Sequence, residues 1–265
     1  MGLVVHERVG LEGRRISPFS WRLRYALAHK GLEPEFIPTR FADVDRIRGL
    51  GGPPTASVPP FFTPSRTADI TRMQSLDGRH FVPVLVDDGQ VVRDTWHIAQ
   101  YLEERFPDRP SLFGGATGQA LTRLTNHWCD TVLAPVMRRL IAADFIWVID
   151  PGDRAYYRSS REAQFGCTLE EYCQDRPHWL VVLAETCAPL EKTLSEQPWL
   201  NGSSPGYADY IVFSVFQWAR VGCPDDVMPP SRSLADWRER LVNIYNGLGN
   251  RFALYPLQKS GPDGR

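Results

Sequence analysis

Short apolar runs in the first forty residues predict two β-strands with a helix between them. Residues 3–9 predict the first strand and residues 35–38 the second. Ser17 is a favourable N-cap and Pro18 a favourable first helical residue, so a helix should run from Pro18 to about Lys30, where a glycine follows. A strand, a helix and a strand in this order predict a β–α–β unit whose strands pair in parallel.

A second pair of apolar runs predicts a β-hairpin. Residues 82–86 and residues 90–92 flank an Asp-Asp-Gly turn, and glycine accepts positive φ without steric cost. Proline has no N–H for the ladder, so Pro83 should lie at the strand entrance. A cis peptide bond there would leave the backbone of Val82 facing outward, where it can pair with an extended peptide.

A capped helix follows the hairpin directly. Asp94 or Thr95 caps it, and the apolar residues Ile98, Tyr101 and Leu102 recur at helical spacing. The hairpin offers backbone groups along one edge, and the helix N-terminus offers partial positive charge at one end. Together they form a ready surface for a small peptide.

The second half of the chain has a helical pattern throughout. It follows a linker rich in Pro and Gly, and its predicted helices cover residues 119–149, 155–165, 169–173, 178–194, 207–221 and about 234–247. On one side of the first of these helices lie Leu121, Leu124, Trp128, Val132 and Val136. The pattern therefore predicts an α/β domain over residues 1–112 and an all-α domain over residues 117–265.

Length and composition fit this division. A chain of 265 residues is long for one domain, and 43% hydrophobic residues suffice for a substantial core. The net charge of -1 gives no electrostatic reason to expect nucleic acid or an anionic membrane as a partner. The thirteen Phe, nine Tyr and eight Trp suit an aromatic core, which we favour by roughly two to one over a pocket for aromatic ligands.

Cysteine and histidine usage excludes several kinds of site. Five cysteines without a CxxC pair predict reduced thiols rather than a disulfide framework or a zinc site. The six histidines show no metal-ligand spacing, so we expect no metal. No run of about 18 apolar residues predicts a transmembrane helix, and the N-terminus lacks the pattern of a signal peptide. We therefore expect a cytoplasmic protein.

The hairpin and the capped helix resemble the glutathione-binding half of a glutathione transferase. In that family a Val-Pro pair opens the hairpin, and an acidic residue and a hydroxyl residue start the next helix. The resemblance implies that Pro83 is cis, that Val82 pairs with the backbone of glutathione, and that Asp94 and Thr95 hold its γ-glutamyl end. It also implies a thioredoxin-like N-terminal domain followed by an all-α C-terminal domain, glutathione as the co-substrate, and a homodimer.

Ser17 is the candidate that would activate glutathione. A thiol with a pKa of about 8.5 needs about 2.7 kcal/mol of differential stabilisation to be mostly thiolate at neutral pH. A hydroxyl bonded to a charged group supplies about 1.5–3 kcal/mol, and a helix N-terminus adds about 0.3–1, or ~2 when partly buried. Local sequence alone favours a simple cap by about four to one. With the hairpin in view, Ser17, Pro18 and Phe19 resemble the active-site motif of serine-type glutathione transferases, which also implies Phe19 in the glutathione site.

Ser20 is the competing candidate, because some classes of the family use a serine one turn further along the helix. Neither position carries a cysteine. A serine cannot form the mixed disulfide through which thiol–disulfide exchange passes, so a reductase is excluded.

The second half also resembles the family. Trp-Leu-Asn-Gly at residues 199–202 and Tyr-Ala-Asp-Tyr at residues 207–210 resemble the core helix of the helical domain with its capping box. Asp209 suits the positive end of that helix. Gly206 stands where Ser, Thr or Asn usually caps, so one side-chain bond is missing, and we expect helix entry to be weaker by a few tenths of a kcal/mol.

Several further segments resemble the bacterial β-aryl etherases and their fungal etherase-like relatives. They are Tyr-Ala-Leu-Ala-His-Lys-Gly, Val-Pro-Val-Leu-Val-Asp-Asp-Gly, Tyr-Leu-Glu-Glu-Arg-Phe-Pro-Asp-Arg-Pro and Asn-Gly-Leu-Gly. This resemblance implies attack by glutathione thiolate on the carbon bearing an aryl ether in a small aromatic, lignin-derived ketone. Phenoxide is then the leaving group.

Two points stay open. The proline-rich segment at residues 51–66 predicts neither a long helix nor a central strand, and its Phe61 and Phe62 either overhang an aromatic substrate or pack the loop down. Arg79 and His80 are candidates for the glycine carboxylate of glutathione. The alternative function is a non-catalytic binder of glutathione or hydrophobic ligands with the same fold.

Overall fold

The computed structural model describes residues 2–53 and 81–255. Its N-terminal part contains a four-stranded mixed sheet with the order β2-β1-β3-β4. The strands are β1 (Leu3–Arg8), β2 (Glu35–Thr39), β3 (Val84–Asp87) and β4 (Gln90–Arg93). β1 pairs in parallel with β2 and antiparallel with β3, and β3 pairs antiparallel with β4. The β–α–β unit and the hairpin predicted from the sequence are both confirmed.

Among the described residues, three α-helices accompany this sheet: α1 (Pro18–His29), α2 (Val44–Gly49) and α3 (Thr95–Arg105). α1 begins as predicted, because Ser17 is its N-cap and Pro18 occupies its first turn. α1 packs against α3, and both bury their apolar faces. Leu23 and Leu27 of α1 and Ile98 of α3 belong to the core. The sheet and these helices hold the N-terminus of α1 and that of α3 in fixed positions.

The C-terminal part is entirely helical. Its α-helices are α4 (Ala116–Trp128), α5 (Ala134–Ile141), α6 (Arg154–Phe165), α7 (Leu169–Tyr172), α8 (Arg176–Glu196), α9 (Tyr207–Gly222) and α10 (Arg232–Gly247). The predicted fold class, an α/β domain followed by an all-α domain, is confirmed. The exact division at residues 112 and 117 stays a prediction. Within residues 2–53 and 81–255, no helix is both long and apolar enough to cross a membrane.

The single helix predicted over residues 119–149 is wrong in detail. A π-helical segment, Cys129–Leu133, separates α4 from α5, and a 3-10 helix covers Asp144–Val148. Pro135 lies in the first turn of α5. Because proline has no N–H, a regular helix cannot make the bond from this residue to the turn before it, and the π segment accommodates the break.

The residues predicted on one apolar side are divided: Trp128 and Val136 are partly buried and pack against the core, whereas the others are exposed. Leu121 and Leu124 are 63% and 67% exposed, and Val132 in the π segment is 41% exposed. The inner side carries the polar residue Asn126, which is buried. The reason is a buried arginine from α1, described below, whose polar partners lie on this inner side.

α9 is the central helix of the C-terminal domain and packs against α1. The carboxylate of Asp209 accepts bonds from the backbone N–H of Gly206 at 3.0 Å and from Nε1 of Trp237 at 2.9 Å, as well as from two residues of the preceding turn. A Cβ atom at Gly206 would lie 2.4 Å from Cγ of Asn201. The absence of a side-chain cap at Gly206 therefore follows from this close approach.

Candidate active site

A cavity of about 250 Å³ lies where the N-terminal sheet domain meets the helices of the C-terminal domain. Two groups of side chains stand out among its lining residues. One group, the serine half, consists of Ser17, Phe19, Val82, Pro83, Asp94 and Thr95. The other group, the arginine half, consists of Arg8, Phe41, Arg138, Phe145, Tyr157 and Arg161. All of the serine half was singled out from the sequence, and none of the arginine half was.

Ser17 brings its hydroxyl to the positive end of α1. Its Oγ accepts a long bond from the backbone N–H of Ser20 at 3.4 Å, and its carbonyl accepts one from Trp21 at 3.3 Å. The residue is 8% exposed and its backbone is extended, with φ -111° and ψ 125°. A hydroxyl in this place acts as a cap and also remains able to donate its own proton to an anion in the cavity.

Ser20 is placed differently. It is 1% exposed and is not among the residues that line the cavity. Within residues 2–53 and 81–255, its hydroxyl has no hydrogen-bond partner. Of the two serines, Ser17 is therefore the one on the cavity wall, and this placement favours it as the residue that faces a sulfur atom.

Val82 and Pro83 form the strand side of the serine half. The peptide bond between them is cis, as the family resemblance implied. The paired register of β1 and β3 ends at His6 and Val84, so Val82 lies beyond the paired residues of the sheet. This position leaves Val82 at the cavity wall, next to the strand that leads into the hairpin.

Asp94, rather than Thr95, is the N-cap of α3. Its Oδ1 accepts a bond from the backbone N–H of Trp96 at 2.9 Å, and its carbonyl accepts one from Ile98 at 2.8 Å. Its φ is 70°, which is uncommon for a residue other than glycine and occurs more readily in Asp and Asn. Such conformations cluster at ligand sites, because the surrounding structure must hold them in place.

Thr95 is held by the C-terminal domain. The buried hydroxyl of Tyr207, the first residue of α9, donates to the carbonyl of Thr95 at 2.7 Å. The ring of Trp96 also packs against those of Phe113 and Tyr207, with ring centroids 5.4 and 6.2 Å apart. The start of α3 is thus positioned from both domains.

Arg22 of α1 joins the two domains below the cavity. Its guanidinium is buried and donates to Oδ2 of Asp130 at 3.2 Å, to Oδ1 of Asn126 at 3.4 Å and to Oγ of Ser214 at 3.1 Å. It also lies 4.9 Å from the centre of the Phe19 ring. Asn126 and Asp130 line the cavity themselves. The sequence analysis did not identify this cluster. Arg22 lies among the apolar residues of α1, and a charged residue at such a position indicates a buried polar partner.

The arginine half combines aromatic rings with guanidinium groups. The guanidinium of Arg8 lies 4.5 Å from the ring centre of Phe41, and that of Arg161 lies 5.3 Å from the ring centre of Tyr157. The ring of Tyr157 is 6.4 Å from that of Phe41 and 6.0 Å from that of Phe145. The three rings therefore form one continuous wall, and the guanidinium groups lie against it.

One side of the arginine half packs directly against the backbone of α9. The ring of Phe145 packs over Gly222, where a Cβ atom would lie 1.9 Å from Cδ2 of the ring. Trp218, one turn earlier on α9, contacts the same ring edge-on, with centroids 5.7 Å apart. Phe145 is buried, so its ring position is fixed by these neighbours.

Several predicted residues lie outside this description. Arg79, His80, Phe61 and Phe62 fall at residues 54–80, which are outside the described residues, so their assignments stay predictions. In the part of the chain that the structure covers, no group of three or more His, Cys, Asp or Glu side chains could hold a metal ion.

Comparison with known proteins gives matches over most of the chain. Residues 16–105 match the family model of the glutathione S-transferase N-terminal domain, and residues 120–239 match that of the C-terminal domain. A maleylacetoacetate isomerase of Pseudomonas aeruginosa is 28% identical over 225 residues, which are 83% of this chain and 86% of that protein.

Solved structures give similar folds. Glutathione transferase GSTFuA2 from Phanerochaete chrysosporium has a TM-score of 0.70 and 26% identity, with 94% of each chain covered. The glutathione S-transferase CsGST63524 of Ceriporiopsis subvermispora, crystallised in complex with glutathione, has a TM-score of 0.72 and 19% identity. That match covers 91% of this chain and 96% of the other, and at this identity it shows the fold alone.

Proposed function

The chain belongs to the glutathione S-transferase family, and on that premise we propose that it uses glutathione as co-substrate to attack aromatic electrophiles. The serine half of the cavity holds the tripeptide, and the electrophile lies in the arginine half. One observation carries the proposal. Ser17, the Val82–Pro83 pair and the Asp94–Thr95 pair are far apart in sequence and line one cavity.

The proposed binding mode assigns one role to each segment. The backbone of Val82 pairs with the cysteinyl residue of glutathione, as an added strand would. Asp94 and the N-terminus of α3 hold the γ-glutamyl end, because the carboxylate of Asp94 attracts an ammonium group and the helix N-terminus attracts a carboxylate. The tripeptide then extends from α3 towards Ser17.

Ser17 lowers the pKa of the bound thiol. Its hydroxyl donates a hydrogen bond to the sulfur, and the N-terminus of α1 adds a favourable potential. A shift of about two pKa units takes about 2.7 kcal/mol, which these two interactions can supply together. The thiol proton passes to solvent, and the thiolate remains at the boundary between the two halves.

The finer proposal concerns the bond that breaks. In an aryl ether next to a ketone, the sulfur forms a bond to the carbon that carries the ether oxygen, the C–O bond breaks, and the electron pair leaves with phenoxide. The rings of Phe41, Phe145 and Tyr157 support an aromatic substrate of this lignin-derived type. The enzyme contributes the thiolate and the orientation of the two reactants.

Paired serine variants test the proposal. We expect Ser17→Ala to lower kcat/KM by about 10–100-fold with a fluorogenic β-aryl ether or a chlorodinitrobenzene, because a hydroxyl bonded to a charged group is worth about 1.5–3 kcal/mol. It should also raise the pKa of the bound thiol, followed by the ultraviolet absorbance of the thiolate. Ser20→Ala is the matched control and should change both by less than about threefold. Equal losses in the two variants, or a larger loss in Ser20→Ala, would contradict the assignment.

Two other functions are outcomes of the same assays. If glutathione binds in calorimetry but no electrophile is turned over, the chain is a carrier of glutathione or of hydrophobic ligands. An isomerase is favoured if the protein converts maleylacetoacetate, the substrate named for its relative from Pseudomonas aeruginosa. Absence of heat with glutathione would contradict both the transferase and the carrier.

We also propose that two copies associate through α4. Leu121 and Leu124 of α4 and Val132 of the π segment that follows it form an apolar strip on the outer side, and contiguous exposed apolar residues mark interaction surfaces. Leu124→Glu should convert a dimer to a monomer in analytical ultracentrifugation. A monomeric unmodified protein would contradict this part of the proposal.

A cytoplasmic location fits the same activity. The described cysteines are all free thiols, and glutathione keeps thiols reduced in the cytosol. Fractionation of cells that produce the protein, followed by detection of the chain in the soluble cytosolic fraction, tests this location.

A further inference from the structure

Residues 10–17 connect β1 to α1 and are called the serine loop here, because they end at Ser17 on the cavity wall. Two backbone bonds close this loop on itself. The N–H of Gly10 donates to the carbonyl of Arg14 at 2.9 Å, and the N–H of Arg14 donates to the carbonyl of Leu11 at 3.1 Å. A loop closed in this way shifts little in one part without shifting in the rest, so contacts made by its earlier residues also bear on the position of Ser17.

The side chain of Arg15, in the serine loop, is held by a buried acid of β1. Its Nε lies 2.6 Å from Oε1 of Glu7, whose side chain is 1% exposed. The same carboxylate accepts a bond from Nε of Arg24 in α1 at 2.7 Å. One buried carboxylate therefore joins β1, the serine loop and α1, and losing such a partner inside a protein is costly.

Phe252, from the segment that follows α10, lies over both guanidinium groups. Its ring centre is 4.5 Å from Cζ of Arg15 and 4.4 Å from Cζ of Arg24. The ring also meets that of Trp21 in α1 edge-on, with centroids 5.8 Å apart. Cation–π contacts of this length are attractive, and more so when the groups are shielded from water. The C-terminal segment (residues 248–255) thus touches the serine loop and α1 at once.

Trp21 connects this contact to the backbone of Ser17. It is buried, its Nε1 donates to the carbonyl of Arg15 at 2.8 Å, and its backbone N–H donates to the carbonyl of Ser17 at 3.3 Å. The C-terminal segment also binds the serine loop directly, because the carbonyl of Leu254 accepts a bond from Nε of Arg14 at 3.2 Å. Side-chain and backbone contacts therefore lead from the C-terminal segment to Ser17.

A strained turn at the end of α10 brings the chain to this position. Tyr245 and Asn246 have φ angles of 53° and 57°, and Gly247 follows with 71°. Residues other than glycine keep such conformations where the surrounding structure enforces them. The hydroxyl of Tyr245 lies 2.6 Å from that of Tyr210 on α9, and its carbonyl accepts a bond from Nη2 of Arg251 at 2.9 Å. Contacts to α9 and within the segment itself thus hold the turn.

We propose that Phe252 is a positioning residue for Ser17. Its ring and the carboxylate of Glu7 together hold the guanidinium of Arg15, and this contact fixes the serine loop where the Ser17 hydroxyl reaches the sulfur of glutathione. Phe252 is not among the residues that line the cavity, so it acts through the loop. This inference rests on the proposed function, since it names what sets the place of the residue that activates the thiol.

A shift of the serine loop should change the ionisation of the bound thiol. We expect Phe252→Leu to raise the pKa of that thiol by about 0.5, followed by the ultraviolet absorbance of the thiolate. Below this pKa, kcat/KM should fall about threefold, and above it the loss should disappear, because the thiol is then ionised in both proteins. Glutathione affinity should stay within about threefold, since half a pKa unit changes thiolate binding by no more than this factor. Phe252→Tyr keeps the ring and should keep the pKa.

Two further variants separate positioning from packing. In a Ser17→Ala background, Phe252→Leu should change the thiol pKa by less than about 0.2, because the hydroxyl through which it acts is gone. Leu248→Ala is the matched control in the same segment. Leu248 is buried, so its truncation should lower the melting temperature at least as much as Phe252→Leu, yet it leaves the ring on Arg15 and should leave the thiol pKa unchanged.

Hydrogen–deuterium exchange over residues 10–17 gives a readout that does not depend on the thiol. Phe252→Leu should raise exchange at the bonded N–H groups of Gly10 and Arg14, and Leu248→Ala should not. Unchanged exchange in Phe252→Leu would overturn the inference. So would a thiol pKa that rises in Ser17→Ala but not in Phe252→Leu, or one that rises equally in Leu248→Ala.

Failure of the proposed function has a different signature. If Ser17→Ala itself leaves the thiol pKa unchanged, the proposed role of Ser17 fails. Raised exchange over residues 10–17 in Phe252→Leu would in that case still support Phe252 as the residue that holds the serine loop.

Discussion

The serine half and the arginine half of the cavity are built in different ways. The serine half consists of three short segments, and in each of them a helix N-terminus or a strand entrance sets the geometry of the backbone. The arginine half gathers single side chains from β1, the start of the segment after β2, α5, a 3-10 helix and α6. Contacts between rings and guanidinium groups hold them together.

This difference has a consequence for function. Backbone groups at helix ends recognise what every peptide shares, so the serine half suits one constant ligand. Side chains from separate elements can change one at a time without disturbing the backbone, so the arginine half suits a variable one. The following experiments separate the two halves, beginning with the buried group that joins the two domains below the cavity.

Removal of the Arg22 guanidinium should give the largest effect on stability. Arg22→Met leaves the largely buried carboxylate of Asp130 without its ion-pair partner and with the amide of Asn126, at 2.9 Å, as its remaining donor, which should cost about 3–5 kcal/mol of the free energy of unfolding. Urea denaturation measures this loss. The double variant Arg22→Met/Asp130→Leu should regain most of it, because both charges are gone. A loss of less than about 1 kcal/mol in the single variant would show that the two domains are joined by other contacts.

Loss of charge at Asp94 should weaken the binding of glutathione in the serine half and leave the arginine half unaffected. Asp94→Asn keeps the acceptor for the N–H of Trp96 and tolerates the φ of 70°, but it cannot pair with an ammonium group. Calorimetry should show glutathione affinity lower by about 10–100-fold, from a charged bond of about 1.5–3 kcal/mol. The KM for a chlorodinitrobenzene should stay within about threefold. Equal losses for both ligands would contradict the division of the cavity, and the exposed residue Asp108, changed to Asn, is the control.

Tyr207→Phe tests how far the helical domain positions the serine half. The variant removes a buried bond of 2.7 Å to the carbonyl of Thr95, which should cost about 1 kcal/mol of stability. We expect KM for glutathione to rise a few-fold and kcat to change less, since the start of α3 loses a support. Thermal unfolding and steady-state kinetics measure the two effects. An unchanged KM would show that the sheet domain alone positions Thr95.

Acid conditions should loosen a contact between the domains that is remote from the cavity. Nδ1 of His29 lies 2.7 Å from the hydroxyl of Tyr210 and 3.2 Å from that of Tyr245. Burial lowers the pKa of His29 below its usual 6.5, so the unfolded chain takes up a proton first as the pH falls. The contribution of neutral His29 to the free energy of unfolding is therefore complete above about pH 7 and decreases towards pH 5. The slope of this decrease is at most about 1.4 kcal/mol per pH unit.

His29→Gln should flatten this slope in denaturation curves taken between pH 7 and pH 5. His6, whose pKa is also lowered by burial, accounts for part of the slope that remains. Within this range, carboxyl groups with lowered pKa values, such as Glu103, are still ionised, so they contribute little. An identical slope in the variant would exclude His29 as the titrating group.

Much of the fold and of the serine half could be predicted from the sequence. The hairpin, the capped helices and the all-helical second half follow from local patterns, and the fold class is confirmed. The cis bond at Pro83 was implied by the family resemblance, and Asp94 was one of the two caps, with Thr95, that the local pattern offered. Each of the local patterns lies within a short stretch of the chain, so it can be recognised in a single sequence.

The arginine half could not be predicted, for a physical reason. Arg8, Arg138 and Arg161 are each ordinary charged residues in their own elements, and only the packing of the two domains brings them to one wall. The exposure of Leu121 and Leu124 on α4 also depends on the packing of the two domains. Both residues have a pattern typical of a core face, and the need of Arg22 for buried polar partners turns that face outwards.

Gly222 has a consequence for the range of molecules that the cavity admits. Phe145 packs over this glycine, and a methyl group there would lie 1.9 Å from a ring carbon. The phenyl ring, which lines the cavity, would then have to move from its position. Gly222 does not line the cavity itself, yet its missing side chain sets the place of a ring that does, so exchanging its hydrogen for an alkyl group would change the shape of the chamber.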